Sequence, residues 1–131
     1  MNFSINLMGA FAVGIGAALV AWSRWGLGFL FNTLWPYFPL GTLIANLSGG
    51  LMMGVALGFI GLGSFENATL RLFITTGFLG GLTTFSAFTG ETLSLLQKQE
   101  YWWAMLHVSS HLFGALLMAT AGYSIVHYLR G

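Results

Sequence analysis

The segment TTGFLGGLTTFSAF, residues 75–88, decides the fold, because it lies in a long uncharged stretch and yet is a poor continuous helix. It holds three glycines, four threonines and a serine. In a helix Gly costs about 1 kcal/mol relative to Ala, and Thr is also unfavourable. A simple spanning helix would instead be filled with Leu, Ile and Val. We therefore predict a helix that is broken near its centre, at Gly80-Gly81 and Thr83-Thr84.

The composition around this segment is that of an integral membrane protein. Of the 131 residues, 56% are hydrophobic and only 5% are charged, whereas an average soluble domain is about 25% charged. The net charge of +1 argues against a nucleic-acid partner, and the absence of cysteine excludes disulfides and thiol catalysis. The first residues carry no Lys or Arg before the apolar run, which predicts a first spanning helix and not a secretory signal.

The chain contains four long apolar segments, which predict an all-α membrane protein with one domain, residues 1–131. The second segment has the ~20 residues that a bilayer core requires. Both prolines, Pro36 and Pro39, fall in the first connection, where they break helix. The predicted spans are residues 5–22, with a continuation to residue 31 left open, then 43–62, 70–96 and 102–128.

Glycines at four-residue spacing predict two close helix contacts. Gly50, Gly54 and Gly58 share one face of the second helix, and Gly77 and Gly81 share a face of the third. Small residues let membrane helices approach closely.

The basic residues are balanced between the two sides of the membrane. Four spans place both termini on one side, together with Arg71 and Arg130, and leave Arg24 and Lys98 on the other. Because Lys/Arg bias fixes orientation, this balance predicts insertion both ways up. Two opposite copies would then pair about a two-fold axis in the membrane plane, as inverted repeats do in transporters.

Three features of the chain each have two interpretations. An unwound turn at Gly80–Thr84 exposes carbonyls that suit a cation, or it is a packing kink with Thr hydroxyls bonded back to the helix. Phe85 and Phe88, three residues apart, turn positive ring edges toward an anion, or they are apolar packing. The Asn46 amide donates to an anion, or it bonds another helix.

The stretch GTLIANLSGG, residues 41–50, followed by residues 75–88, resembles the Fluc/CrcB family of fluoride channels. Arg24 in the first helix belongs to the same pattern, and the resemblance covers nearly the whole chain. It implies an antiparallel, dual-topology homodimer with two fluoride pores. It also implies a structural sodium ion at the dimer interface, held by the main-chain carbonyls of Gly80 and Thr83.

The resemblance further implies the residues of the anion pathway. They are Asn46, Phe85, Ser86, Phe88, Glu91, Arg24 and His111. The chain departs from many relatives at Ala87, Ala115 and Ala119, where hydroxyls are common. We therefore expect a thinner polar track along the two phenylalanines.

His107 and His111 stand four residues apart and share a helix face, as two histidines of a metal site do. No carboxylate stands near them in sequence, so we predict no metal site at this pair.

The function implied is passive fluoride export across a prokaryotic plasma membrane, which protects the cell. One alternative is a dual-topology small multidrug exporter, which needs a carboxylate in the first helix, where this chain has none. Another is a non-transporting accessory subunit of a membrane complex. No catalytic triad, phosphate loop or paired intramembrane carboxylate is present, so an enzyme is not expected.

Overall fold

A computed structural model describes residues 6–131, and this part of the chain is helical throughout apart from short connections. Four spans are long and apolar enough to cross a membrane, which confirms the predicted multi-pass organisation. The third span, Ala68–Gln97, is composed of several pieces. The elements are α1 (Leu7–Phe31), α2 (Leu40–Gly61), α3 (Ala68–Leu72), a π-helical segment (Phe73–Leu79), α4 (Gly80–Leu82), α5 (Phe85–Gln97) and α6 (Tyr101–Arg130).

The helix ends follow local capping chemistry. Helix α1 continues to Phe31, the longer of the two predicted versions, while residue 5 lies outside the described residues. Helix α2 begins directly after Pro39, whose φ of −72° suits a position at a helix start. Asn67 caps α3 by accepting a hydrogen bond of 3.1 Å from the backbone N–H of Leu70.

The predicted glycine face of α2 is confirmed as its contact with α6. A Cβ atom built on Gly50 would lie 2.8 Å from the carbonyl oxygen of Ala115. A Cβ atom on Gly54 would overlap the carbonyl oxygen of Ala119. The two backbones therefore touch without intervening side chains, as small residues allow in membrane helices.

The glycines of the third span make the corresponding contact with α1. A Cβ atom on Gly77 would lie 2.9 Å from the carbonyl oxygen of Val13, and one on Gly81 would lie 3.0 Å from the Cα atom of Ala17. Beside this contact the buried side chains of Val20, Ala45 and Leu82 form a small core between α1, α2 and α4. The middle of the third span is thus fixed between the first two helices.

Two extended residues interrupt the third span. Thr83 has φ −77° and ψ 146°, and Thr84 has φ −142° and ψ 112°. The span nevertheless bends by only 14°. Two extended residues thus separate α4 from α5, but the two halves stay nearly aligned, so the predicted broken helix is not confirmed.

The α2–α6 contact leads to a stability prediction. Gly54→Ala places a methyl group against the Ala119 carbonyl, so the helices must separate, at a cost of about 1–3 kcal/mol. Gly14→Ala in α1 is the matched control, because its Cβ atom would meet nothing within 4 Å. In detergent, we expect a lower midpoint of thermal unfolding for the first variant and an unchanged or higher one for the control. Equal midpoints for both variants would contradict the backbone contact.

Candidate functional site

The site is organised by an exchange of hydrogen bonds between Asn46 on α2 and the backbone of Thr84. The Thr84 N–H donates to Asn46 Oδ1 at 2.8 Å, and Asn46 Nδ2 donates to the Thr84 carbonyl at 3.3 Å. The amide of one helix therefore satisfies both backbone groups of an extended residue in another. Of the two interpretations of Asn46, the interhelical hydrogen bond is present in the structure.

This exchange and the hydrogen bond that caps α5 remove the helical donors of two carbonyls. In a continuous α-helix the N–H of residue i donates to the carbonyl of residue i−4. The Thr84 N–H would thus donate to the carbonyl of Gly80, but it donates to Asn46 Oδ1 instead. The Ala87 N–H would donate to the carbonyl of Thr83, but it donates to Thr84 Oγ1 at 3.1 Å. The carbonyls of Gly80 and Thr83 are therefore among those in this turn that lack an i+4 donor.

The alternative interpretation of this segment is also partly present. The Thr83 hydroxyl donates back to the carbonyl of Leu79 at 3.1 Å, as threonines in membrane helices commonly do. One turn of the chain therefore contains both a Thr hydroxyl bonded back to the helix and carbonyls that have lost their helical donors.

A cavity of about 580 Å³ lies beside the interruption and brings together four residues predicted for the anion pathway, Asn46, Phe85, Phe88 and His111. The two phenylalanine rings are adjacent, with centroids 5.6 Å apart and planes at 39°. Phe85 is 79% exposed in the single chain, so this wall of the cavity is open on one side. Ala115 and Ala119 also line it, and their methyl groups add no hydrogen-bonding atoms.

Three titratable side chains, Glu91, His107 and His111, form a cluster beside Phe88. His107 is fully buried, its ring stacks on Phe88 with centroids 5.3 Å apart, and its Nε2 atom lies 3.4 Å from Glu91 Oε2. The other Glu91 oxygen accepts a hydrogen bond of 2.5 Å from the hydroxyl of Thr42. His111 Nδ1 lies 2.9 Å from Asn46 Nδ2.

This cluster corrects the argument against a metal site. No carboxylate is near His107 and His111 in sequence, but α5 brings Glu91 beside them, and one ligand atom from each residue lies within 4.8 Å of the others. The sequence argument considered only neighbours along the chain, whereas this carboxylate comes from a different helix; the absence of a metal at the histidine pair stays a prediction.

A second cavity, of about 500 Å³, is lined by Arg24, Thr42, Thr84 and Glu91, among others. Arg24 Nε is buried and has no hydrogen-bond partner among residues 6–131. Thr84 lines both cavities. The predicted residues therefore form two groups, with a basic and an acidic group in one cavity and the aromatic and amide groups in the other.

The remaining predicted residues lie close to the interruption. Thr83 lines the first cavity and Gly80 is exposed on the chain surface. In the described part of the chain Ser86 lines neither cavity, and its hydroxyl lies 3.3 Å from Thr84 Oγ1. The sequence analysis missed Thr42, although it stands inside the quoted stretch 41–50, and it did not foresee that Thr84 is the partner of Asn46.

These features define a small multi-pass membrane protein with two cavities separated by an interrupted helix. Residues 11–123 match a family model described as CrcB-like protein, Camphor Resistance (CrcB). The chain belongs to the CrcB family.

Three relatives show how close the similarity is. A protein from Aromatoleum aromaticum is 50% identical over 131 residues, which is 100% of both chains. One from Cupriavidus pinatubonensis is 52% identical over 115 residues, covering 88% of this chain and 91% of its own. One from Nitrosospira multiformis is 49% identical over 118 residues, covering 90% and 92%. Each carries the name fluoride-specific ion channel FluC.

Proposed function

We propose that this protein is a fluoride channel that lets F⁻ leave a prokaryotic cell passively across the plasma membrane. The supporting observation is the wall of the first cavity, where two adjacent aromatic rings and a histidine surround a space that no Lys or Arg of residues 6–131 lines. Relatives at about half identity carry the name of a fluoride-specific channel. The proposed activity is transport and involves no covalent chemistry.

The wall of the first cavity can stabilise an anion weakly enough for the anion to leave again. Aromatic ring edges carry partial positive charge, so Phe85 and Phe88 can stabilise an anion without a full charge. A full positive charge at the same depth would hold the anion too tightly for rapid conduction. Arg24 lies in the other cavity, where its charge would attract anions to the entrance.

The membrane potential drives fluoride export, so the channel requires no other source of energy. Fluoride is the anion of a weak acid, whose neutral form crosses membranes and ionises in a more alkaline cytoplasm, where the anion is trapped. A negative interior favours anion exit by about 2.3 kcal/mol per charge per 100 mV.

The ring-edge mechanism is tested by Phe85→Ile and Phe88→Ile in proteoliposomes, with fluoride efflux followed by an electrode. Ile keeps the site apolar but removes the positive edge, so we expect efflux to fall by roughly tenfold or more, which corresponds to ~1.4 kcal/mol. Met, with an adaptable and polarizable side chain, should restore part of the rate.

Phe113→Ile is the matched control, because Phe113 is exposed on α6 and lines neither cavity described here. The control should conduct at the parental rate. If both cavity variants also conduct at that rate, the two rings are packing and the ring-edge mechanism is wrong. If the parental protein itself moves no fluoride, the proposed function is wrong.

The assembly we propose is an antiparallel homodimer. Its support is the high exposure of Phe85 on a cavity wall that is open in the single chain, since a second copy would cover it. The balance of Arg71 and Arg130 against Arg24 and Lys98 supplies the two orientations that such a pair needs.

The two orientations are tested with reporters fused to the C-terminus that are active on opposite sides of the membrane. We expect both reporters to give signal for the parental chain. Glu66→Arg adds positive charge in the connection on the terminus side and should increase the signal of the cytoplasmic reporter, because basic loops stay inside. Signal from one side alone in the parental chain would contradict dual topology.

A structural sodium ion at the dimer interface forms the last part of the proposal. Its support is that the carbonyls of Gly80 and Thr83 lose their i+4 donors, as the hydrogen bonds of Thr84 and Ala87 go elsewhere. Backbone carbonyls at an unwound turn are suitable ligands for Na⁺.

Elemental analysis of protein purified in sodium, and again after exchange into rubidium, tests this site. We expect bound sodium in the first sample and several-fold slower fluoride efflux in the second, because a cage sized for Na⁺ fits a larger ion poorly. Undiminished efflux from protein shown to hold no cation would contradict a structural role.

A further inference from the structure

The cluster beside Phe88 contains buried polar atoms that have no hydrogen-bond partner among residues 6–131. They are Glu91 Oε2, both ring nitrogens of His107 and His111 Nε2. His107 is fully buried and His111 is 5% exposed. Because buried polar groups are nearly always paired, several unpaired ones in a single cluster indicate a place for a ligand.

The free atoms of this cluster are arranged as the ligands of one metal ion are. His107 Nε2 and Glu91 Oε2 lie 3.4 Å apart, which is the separation of two ligands bound at about 2.1 Å to one tetrahedral ion. One nitrogen of His111 completes a set whose ligand atoms lie within 4.8 Å of one another. Two imidazoles and one carboxylate suit a divalent transition-metal cation such as Zn²⁺, and they leave a fourth position open to water.

The surroundings of Glu91 also suit a metal ligand. Its other oxygen, Oε1, accepts a hydrogen bond of 2.5 Å from the Thr42 hydroxyl, and ligating carboxylates are commonly held by such a bond. The Glu91 side chain is 20% exposed and lines the second cavity. An ion that enters this cavity therefore meets the Glu91 side chain, and a rotation of the carboxylate would bring the buried Oε2 to it.

The contact between Asn46 and His111 opposes such an ion. Because Asn46 Oδ1 accepts from the Thr84 N–H, the amide nitrogen, which can only donate, faces His111 Nδ1 at 2.9 Å. Ligation through the unpartnered Nε2 requires a lone pair there and a proton on Nδ1. That proton would oppose the N–H of Asn46, so metal binding competes with the present position of the amide.

We propose that Glu91, His107 and His111 form a reversible site for a divalent transition-metal cation of the Zn²⁺ class, and that the bound ion slows the channel. The site stands apart from the proposed function, whereas its effect on fluoride rests on that function. No resident ion is implied, because the Asn46 contact weakens binding. The prediction of no metal at the histidine pair by itself is unchanged.

The bound ion would slow fluoride for two reasons. The carboxylate of Glu91 balances only one of the two positive charges of the ion, so a net positive charge remains beside Phe88, whose ring stacks on His107 at 5.3 Å. A full charge holds an anion too tightly for fast conduction. Ligation by His111 also displaces the Asn46 amide, which weakens its hydrogen bonds to Thr84.

The site is tested by the zinc content of the full-length protein in bilayers, after dialysis against buffers of known Zn²⁺ concentration. We expect one ion per chain, and binding weaker by roughly tenfold or more in His107→Gln and in Glu91→Gln, since even an outer-shell partner contributes about 10–100-fold to metal affinity. His127→Gln is the matched control, because His127 is exposed on the same helix and lies outside the cluster. No zinc in the parental protein, or equal affinity in both cluster variants, would overturn the site.

Asn46→Asp tests the competition through a gain of affinity. Asp keeps one oxygen for the Thr84 N–H and presents the second to a proton on His111 Nδ1, which creates the carboxylate–histidine–metal arrangement. We expect zinc binding roughly tenfold tighter than in the parental protein. Unchanged or weaker binding, in a variant that keeps the parental assembly size, would overturn the role given to Asn46.

Fluoride efflux from liposomes tests the effect on the channel. Zn²⁺ at a concentration that fills the site should slow parental efflux several-fold, and a chelator should restore it. Efflux through His107→Gln should be insensitive to Zn²⁺, whatever its own rate. Zinc that binds the cluster without slowing efflux would overturn the inhibition alone. A parental protein that moves no fluoride would overturn the proposed function, and the dialysis experiment would still decide the zinc site.

Discussion

The structure depends on the hydrogen-bond exchange between the Asn46 amide and the backbone of Thr84. In hydrocarbon, each backbone N–H and carbonyl needs a partner, so a helix can be interrupted only where another group replaces the lost bonds. Asn46 provides an acceptor at 2.8 Å and a donor at 3.3 Å for the same residue. The Thr84 hydroxyl then caps α5 through the Ala87 N–H.

Three properties of the proposed channel follow from this one exchange. It directs the Thr84 N–H away from the Gly80 carbonyl, which is left without its helical donor. It leaves Thr84 between the two cavities, one with Arg24 and Glu91 and the other with the aromatic pair. It orients the remaining N–H of the Asn46 amide toward His111 Nδ1, 2.9 Å away.

Much of the fold was predictable from the sequence, because it is fixed by local and periodic features. Hydropathy located four spans, and glycine spacing located the faces of α2 and the third span that touch α6 and α1. The phenylalanine pair was predictable from its three-residue spacing, and its rings are adjacent in the structure. Asn46 could be recognised as a polar residue that needs a partner.

The partners themselves could not be predicted, because they come from distant parts of the chain. Asn46 and Thr84 are separated by 38 residues, and Thr42 and Glu91 by 49. The π-helical winding of Phe73–Leu79 also has no signal in local propensity. This segment packs directly against α1. A Cβ atom built on Gly16 would lie 2.9 Å from the backbone nitrogen of Phe78 and 3.0 Å from the carbonyl oxygen of Phe73. The carboxylate beside the two histidines was missed for the same reason, since Glu91 lies near them only in three dimensions.

The most direct test of this account is the hydrogen-exchange rate of the Thr84 backbone amide, compared between the parental protein and Asn46→Leu. Leu branches at the same carbon as Asn but accepts no hydrogen bond, and the amide of Leu95, inside α5, serves as the internal reference. If the Asn46 oxygen holds the Thr84 N–H, the parental amide is protected, and the variant exchanges it much faster while the Leu95 rate stays the same. An equal Thr84 rate in both proteins would contradict the exchange on which the site is built.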